Sequence, residues 1–249
     1  MTQRSHSGRV AVVTGASRGI GQAVCRGLAR RAASVVGVDV LDPQETGQLV
    51  EQAGGRWLGI TADLTAPEAA SRVAEEVKSA FGRCDILVNN AAIDDAISWD
   101  ELDAERWRAV MTVNLDVPFL LCRALTPLMR RHGWGRIVNV ASGSVLNPMP
   151  RFVAYRASKM GLIGFSRALA TEVGDDGITV NVMSPGVTVS PMAMESLPQE
   201  VLDQAVRQRS IHRHGTAEDV VGTVLFLTSE DSAWITGQTL LANGGATFV

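Results

Sequence analysis

Val10-Ala11-Val12-Val13-Thr14-Gly15-Ala16-Ser17-Arg18-Gly19-Ile20-Gly21 runs an uninterrupted apolar stretch into a glycine-rich loop. Consecutive apolar residues suit a strand covered on both faces, and the last glycines open a helix directly. Glycines let the backbone turn tightly and approach a diphosphate, whose charge amides at a helix N-terminus can meet. The spacing alone would suit an ordinary strand-to-helix turn equally well. Asp39 sharpens the reading, because it closes the next apolar run, Ser34–Asp39, 18 residues beyond Gly21. An acid about 20 residues past such a loop is placed to accept hydrogen bonds from a ribose.

Working outward, Val- and Ile-rich runs recur at Trp57–Ala62, Asp85–Asn89, Arg136–Val140, Thr179–Met183 and Thr239–Leu241. Helix-length amphipathic segments begin near Gly19, Pro43, Pro67, Asp103, Phe152, Pro191 and Ala217. Continuous apolar strands divided by helices indicate a parallel sheet with helices on both faces, the doubly wound α/β class. No linker, repeat or low-complexity stretch divides the 249 residues, so a single domain over 1–249 is expected, led by a polar arm at 1–8.

Hydrophobic residues make up 46% of the chain and charged residues 20%, with a net charge of −3. That balance gives no general electrostatic reason to expect nucleic acid or an anionic membrane as partner. No apolar run reaches the roughly 18 residues of a membrane span, and the first eight residues lack the apolar core of a secretory signal. Cys25, Cys84 and Cys122 are widely spaced without a CxxC pair, and read as reduced thiols of a cytoplasmic protein. His212 and His214 could chelate a metal, yet no Cys or third His stands near them. A solvated pair at a helix end is the simpler reading, and no metal site is assigned.

Asp39 also bears on the choice of cofactor. Beside a 2′-phosphate, its carboxylate would be repelled by roughly 4 kcal/mol at about 4 Å and an effective dielectric near 20. Arg18 pulls the other way, but Val40, Leu41 and Asp42 offer no cation after Asp39. NAD is expected over NADP.

Tyr155 is the chain's one tyrosine, and Lys159, one of two lysines, stands four residues on, so a helix carries both on one face. A phenol is too weak a base at neutral pH, and a neighbouring ammonium favours the phenolate. Ser142 follows the run Arg136–Val140, at the strand end that faces the crevice of such sheets, where its hydroxyl could hold a substrate oxygen. Alternatively it is a turn serine. Asn114 is polar within an apolar helix, and Pro118 removes the N–H that would pair with its carbonyl. A helix kink should leave that carbonyl able to bind a water that relays protons from Lys159; the bland alternative is a simple proline kink.

Val110–Met129 is apolar nearly all round, and Phe152–Val173 carries Ala154, Ala157, Gly161 and Gly164 on closely spaced turns. Such helices are expected at a two-fold subunit interface, or else in the core of a monomer. Pro191–His214 mixes Met192, Met194 and Leu197 with Glu195 and Gln199, as a substrate lid over 191–214 would. Val145, Leu146, Met149, Phe152 and the lid's apolar residues imply a substrate with a mainly apolar body. Asp94 and Asp95 could favour a cationic or polyhydroxylated group, or be solvated loop acids.

Together these residues resemble the short-chain dehydrogenase/reductase family from about Arg9 to Gly245. The glycine loop, Asp39, Asp63-Leu64, Asn89-Asn90-Ala91, Asn114, Ser142, the Tyr155–Lys159 pair and Pro185-Gly186 fall in the family's order. The resemblance implies a seven-stranded Rossmann sheet, commonly assembled as a homotetramer, and assigns Asn114, Ser142, Tyr155 and Lys159 as the catalytic four. It implies a cofactor site of Gly15, Ser17, Arg18, Gly19, Ile20, Gly21 and Asp39, with Asp63 and Leu64 at the adenine and Asn90 toward the adenosine ribose. Ala91, Pro185, Gly186, Tyr155 and Lys159 complete the set, and Thr188 and Ser190 approach the nicotinamide carboxamide. Ala92 departs from the family's usual Gly, Ser190 from Thr, and Asn243 from Asp.

The expected activity is reversible hydride transfer between NAD and a secondary alcohol or its ketone, with Tyr155 as acid/base. One alternative is a 3-oxoacyl reductase using NADPH. Arg130 and Arg131 favour it, whereas Asp39 and Thr171, where the docking helix of such reductases usually has Arg, oppose it. The other alternative is a non-catalytic NAD-sensing scaffold, which would need none of the catalytic four.

Overall fold

The computed structural model describes residues 5–94, 96–147, 149–189 and 191–248. Its sheet comprises β1 (Val10–Thr14), β2 (Ser34–Asp39), β3 (Trp57–Thr61), β4 (Ile86–Asn89), β5 (Gly135–Val140), β6 (Ile178–Pro185) and β7 (Thr239–Ala242). The order is β3-β2-β1-β4-β5-β6-β7, and every pairing is parallel. Residues of β1, β4 and β5 are buried throughout, which is why their sequences read as continuous apolar runs rather than alternating ones. Strand limits agree with the sequence reading to within one residue, except that β6 runs on through Ser184 and Pro185.

The helices are α1 (Gly19–Arg30), α2 (Gln44–Gln52), α3 (Ala69–Phe81), α4 (Ala104–Met111), α5 (Val117–Arg130), α6 (Val153–Val173), α7 (Pro191–Ser196), α8 (Gln199–Gln208) and α9 (Ala217–Leu227). On one face α1, α2 and α9 cover the sheet through Val24, Leu28, Val50 and Val224. On the other α3, α5 and α6 do so through Val73, Leu121, Leu125 and Val173. A capping box starts α9: the Thr216 hydroxyl and the Asp219 carboxylate satisfy each other's backbone N–H groups. Strand and helix thus alternate to give the doubly wound fold.

Pro118 leaves an irregular turn at Asn114 in place of an ordinary helical one. The chain passes from α4 to α5 through a π-turn, Thr112–Asp116, in which the Val117 N–H bonds to the Thr112 carbonyl. One wide turn absorbs the proline, and such turns recur at functional sites. Within a single chain this helix is buried on one side and exposed on the other. Leu121, Leu125 and Met129 are in the core, whereas Phe119 and Leu120 are 45% and 44% exposed. The run Ala104–Arg130 is long and apolar enough to cross a membrane by length and composition, and here its inner face packs against α3.

Candidate active site

The strand order reverses between β1 and β4, and ligands of such sheets bind in the crevice at that point. A cavity of about 970 Å³ lies there, bordered by the β1–α1 loop, the ends of β4, β5 and β6, and α8. Gly15 adopts φ +65, where a side chain would be strained, and a Cβ there would come within 2.7 Å of Asn90 Nδ2. A Cβ on Gly21 would run into the Gly15 carbonyl oxygen. The result is a backbone cradle at a helix N-terminus that a diphosphate fits and that side chains would fill.

The cradle is locked from below. The Thr14 hydroxyl accepts from the backbone N–H groups of Asn90 and Ala91, each at 3.0 Å. Asn90 Nδ2 donates to the carbonyls of Thr14 at 2.9 Å and Gly15 at 3.2 Å. Sequence reasoning missed Thr14, although a hydroxyl ending an otherwise apolar strand was the signal. Asp39 Oδ2 accepts from the Ser17 N–H at 2.8 Å and the Ser17 hydroxyl at 2.7 Å, and Oδ1 from Leu41 N–H at 3.0 Å. Asp63 Oδ1 accepts from the Thr65 N–H and hydroxyl, which holds that carboxyl below the usual range. Leu64, Ala91, Ala92, Ile20, Pro185, Gly186 and Thr188 line the same crevice. Arg18 reaches across its mouth to Glu195 of α7, Nη1 to Oε1 2.7 Å. Ser190 lies outside the described residues, as does Asp95.

At the crevice floor the structure brings Ser142, Tyr155 and Lys159 together. Lys159 is 2% exposed, and its Nζ donates to the Val140 carbonyl at 2.9 Å and sits 5.7 Å from the centre of the Tyr155 ring. Ser142 caps the turn after β5: its Oγ accepts from the Ser144 N–H at 3.2 Å and donates to the Ser144 hydroxyl at 2.9 Å. Burial pushes the Tyr155 phenol up to about 12; its hydrogen bond with Ser142 works against this, and the Asp94 charge reinforces it. Burial likewise pulls the Lys159 ammonium down to about 8, against the opposing field of Asp94. In the protein alone, leaving water thus outweighs the help that a lysine gives a phenolate. Asp94 lines the cavity and its field reaches both groups, so it is not merely a solvated loop acid.

Asn114 is buried beneath this floor. Its Nδ2 donates to the Ile93 carbonyl at 2.9 Å and to the Ser158 hydroxyl at 3.0 Å, and its Oδ1 accepts from the Ile93 N–H at 3.0 Å. Ser158 in turn donates to the Tyr155 carbonyl at 2.7 Å. Asn114 therefore ties the loop carrying Ala92 and Asp94 to the first turn of α6. The Asn243 amide donates to the Thr247 hydroxyl at 2.9 Å while its carbonyl accepts from Gly245 N–H at 2.9 Å. An aspartate in that place would lack the donor. His214 Nε2 lies 3.8 Å from Asp203, and His212 Nδ1 lies 3.4 Å from the Val206 carbonyl.

The expected apolar wall is only partly found. Met149, Phe152 and Leu197 line the cavity. Val145 packs instead with Ala141, Ile163 and Val182, and Leu146 and Met194 face outward; the Met192 side chain lies outside the description. Ser144, Asn147, Gln204, Gln208, Arg209 and Thr247 take their place. The contribution of Gln204, Gln208, Arg209 and Thr247 was illegible because α8 and the C-terminal turn meet the crevice only through long-range packing.

A family model described as enoyl-(acyl carrier protein) reductase matches residues 15–247. The chain is 38% identical to the 3-oxoacyl-[acyl-carrier-protein] reductase FabG of Escherichia coli, over 96% of this chain and 97% of that protein. It is 32% identical to the D-beta-hydroxybutyrate dehydrogenase of Rhizobium meliloti, over 96% and 98%. It also resembles the solved structure of a candidate NAD(P) dependent gluconate 5-dehydrogenase from Beutenbergia cavernae with NADP bound at low occupancy. That match has a TM-score of 0.92 and 38% identity, and covers 98% of this chain and 99% of the other.

Proposed function

The chain belongs to the short-chain dehydrogenase/reductase family, and from that footing we propose that it transfers hydride reversibly between NAD and a secondary alcohol or its ketone. The observation that carries this reading is the meeting of half-buried Tyr155, buried Lys159 and Ser142 on the crevice floor. NAD would supply the hydride acceptor, or in the reverse direction the donor. The loop at Gly15, Ser17, Gly19, Ile20 and Gly21 would hold its diphosphate. Asp39 would hold the adenosine ribose, with Asp63, Leu64, Asn90 and Ala91 beside it and Pro185, Gly186, Thr188 and Ser190 at the other end. Ser142 holds the substrate oxygen, and Tyr155 Oη takes the hydroxyl proton in oxidation and returns it in reduction. Lys159 raises the share of phenolate by charge, and Asn114 keeps the floor in register through Ile93 and Ser158. Holding donor and acceptor together, and meeting the developing oxyanion with fixed donors, supplies most of the rate.

Residues 191–214 act as a lid in this reading, and the exposed side chains Phe119 and Leu120 on α5 and Met160 on α6 meet their copies across a two-fold axis. A second reading, a 3-oxoacyl reductase using NADPH, draws on the similarity to the Escherichia coli protein. Asp39 beside the ribose site opposes it. Steady-state kinetics decide the matter: kcat/KM for NAD and NADP with a panel of secondary alcohols, and for NADH and NADPH with an acetoacetyl thioester. A marked preference for NADPH and the thioester would overturn the first reading in favour of the second.

A further inference from the structure

Arg209, just beyond α8, is 5% exposed and lines the cavity. Its Nε donates to the Ala205 carbonyl at 2.9 Å and Nη2 to the Val187 carbonyl at 3.1 Å. No carboxylate among the described residues pairs with it. Asp219, the acid whose field reaches it, is held by Arg213 through both carboxylate oxygens. Guanidinium does not escape the cost of burial by losing its proton, because its pKa stays far above neutral. Two carbonyl dipoles orient the group but leave its charge without a counter-ion, and in a site shielded from water that charge is a strong attractor for an anion. Its neighbours in the cavity wall carry donors as well: Gln204 and Gln208 one helical turn apart, and Thr247 from the C-terminal turn.

We propose that Arg209 is the carboxylate-recognition residue of the substrate pocket, so that the substrate is a hydroxy acid or the corresponding oxo acid rather than a neutral alcohol. The inference rests on the dehydrogenase reading above and narrows it to one substrate class. A bidentate carboxylate fits a guanidinium whose Nη1 makes no hydrogen bond among the described residues. Arg209 is bonded to Val187, next to Thr188, and lines the same cavity as Tyr155, so an acid anchored there shares the cavity with the proposed acid/base.

Three pairs that differ only in carboxylate against CH2OH test this: 3-hydroxybutyrate and butane-1,3-diol, lactate and propane-1,2-diol, gluconate and glucitol. Each is assayed as substrate with NAD for the wild-type protein, Arg209→Met and Arg209→Lys, with NADH binding followed by fluorescence. The expected result is a wild-type preference for the acid in at least one pair. Its acid-to-diol ratio of kcat/KM should fall roughly 10- to 100-fold in Arg209→Met, mostly through KM, and recover in part in Arg209→Lys. An enzyme that prefers the diols, or whose acid-to-diol ratio is unmoved by Arg209→Met because both members decline together, overturns the inference and leaves the dehydrogenase reading standing. A folded protein that binds NADH and oxidises none of the six compounds overturns the dehydrogenase reading, and this inference with it.

Discussion

At one end of the crevice the backbone forms the site, through a cradle that Gly15 and Gly21 permit and that Thr14 and Asn90 lock from below. At the other end the wall is made of side chains, with Gln204, Gln208 and Arg209 presented by and just beyond a ten-residue helix whose one buried residue is Leu202. The first end has to fit a diphosphate and a ribose, which are the same for every enzyme using the cofactor, and its geometry tolerates almost no change. In the proposed reading the second end meets the substrate, and its side chains can be exchanged without moving the sheet. Chemistry is fixed where the backbone is fixed, and specificity is placed where side chains alone decide.

The largest effect should come from the residue between the two ends. Tyr155→Phe should lower kcat by about 10^3 to 10^4 while leaving NADH binding near wild type, measured by steady-state rates and fluorescence titration. With a single tyrosine in the chain, ultraviolet absorbance reports this phenol alone. Without NAD it should remain protonated beyond pH 10, since burial pushes it up to about 12. A folded-state pKa raised in this way contributes stability that is complete below pH 10 and is lost as pH climbs toward 12. Bound NAD should bring the ionisation down. A phenol still protonated at pH 10 in an NAD complex that turns over at neutral pH would remove Tyr155 from the role of base.

The next largest effect sharpens the adenosine end. Asp39→Ala removes the carboxylate proposed to hold the ribose, so the ratio of kcat/KM for NAD over NADP should fall by roughly 10^2. The same change takes away the acceptor for Ser17 and Leu41, so the loop should also loosen and KM for NAD should rise. If the ratio does not move, the ribose is recognised by the backbone as well, and the comparison between the two ends becomes starker.

Legibility followed the same division. The strands could be read because residues buried on both faces leave continuous apolar runs, and the cradle because a glycine marks each close approach. Tyr155 and Lys159 stood out since a helix brings residues four apart onto one face. Asn114 was singled out for its main-chain carbonyl, whereas what the fold uses most visibly is its side chain, bonded to Ile93 and Ser158. Those contacts span 21 and 44 residues, which no local pattern encodes. Arg209 went unnoticed for a related reason. In the sequence it is one arginine among many at the end of an amphipathic helix, and only folding reveals that it is buried while its acids are engaged elsewhere.

A smaller effect separates the two ends by their dynamics. The amides of Asn90 and Ala91, bonded to the Thr14 hydroxyl, should exchange slowly with or without NADH. Amides of α8 should exchange about tenfold faster without NADH and slow on its addition, as expected for a lid that closes over a ligand. Hydrogen exchange resolved by peptide checks both at once. Equal protection of α8 in the two states would mean that this wall is as fixed as the cradle.

The smallest predicted effect tests whether the two ends communicate at all. Arg18 belongs to the cradle and Glu195 to α7, so their ion pair is a direct link between the fixed end and the side-chain end. The side chains are 51% and 62% exposed, and pairs this open to water contribute only about 0.2–1 kcal/mol. The sign is nonetheless definite. While Glu195 holds Arg18, the guanidinium is neutralised and drawn away from any 2′-phosphate beside Asp39. Glu195→Gln frees it, so kcat/KM for NADP should rise relative to NAD by roughly two- to fivefold at low salt. At about 1 M salt, where screening acts over roughly 3 Å, the gain should disappear. Arg18→Gln should abolish it at any salt, which distinguishes a released cation from a lid that has simply become looser. A cofactor ratio that stays level in Glu195→Gln at low ionic strength would show that the pair does not govern cofactor choice, and that lid and cradle act independently.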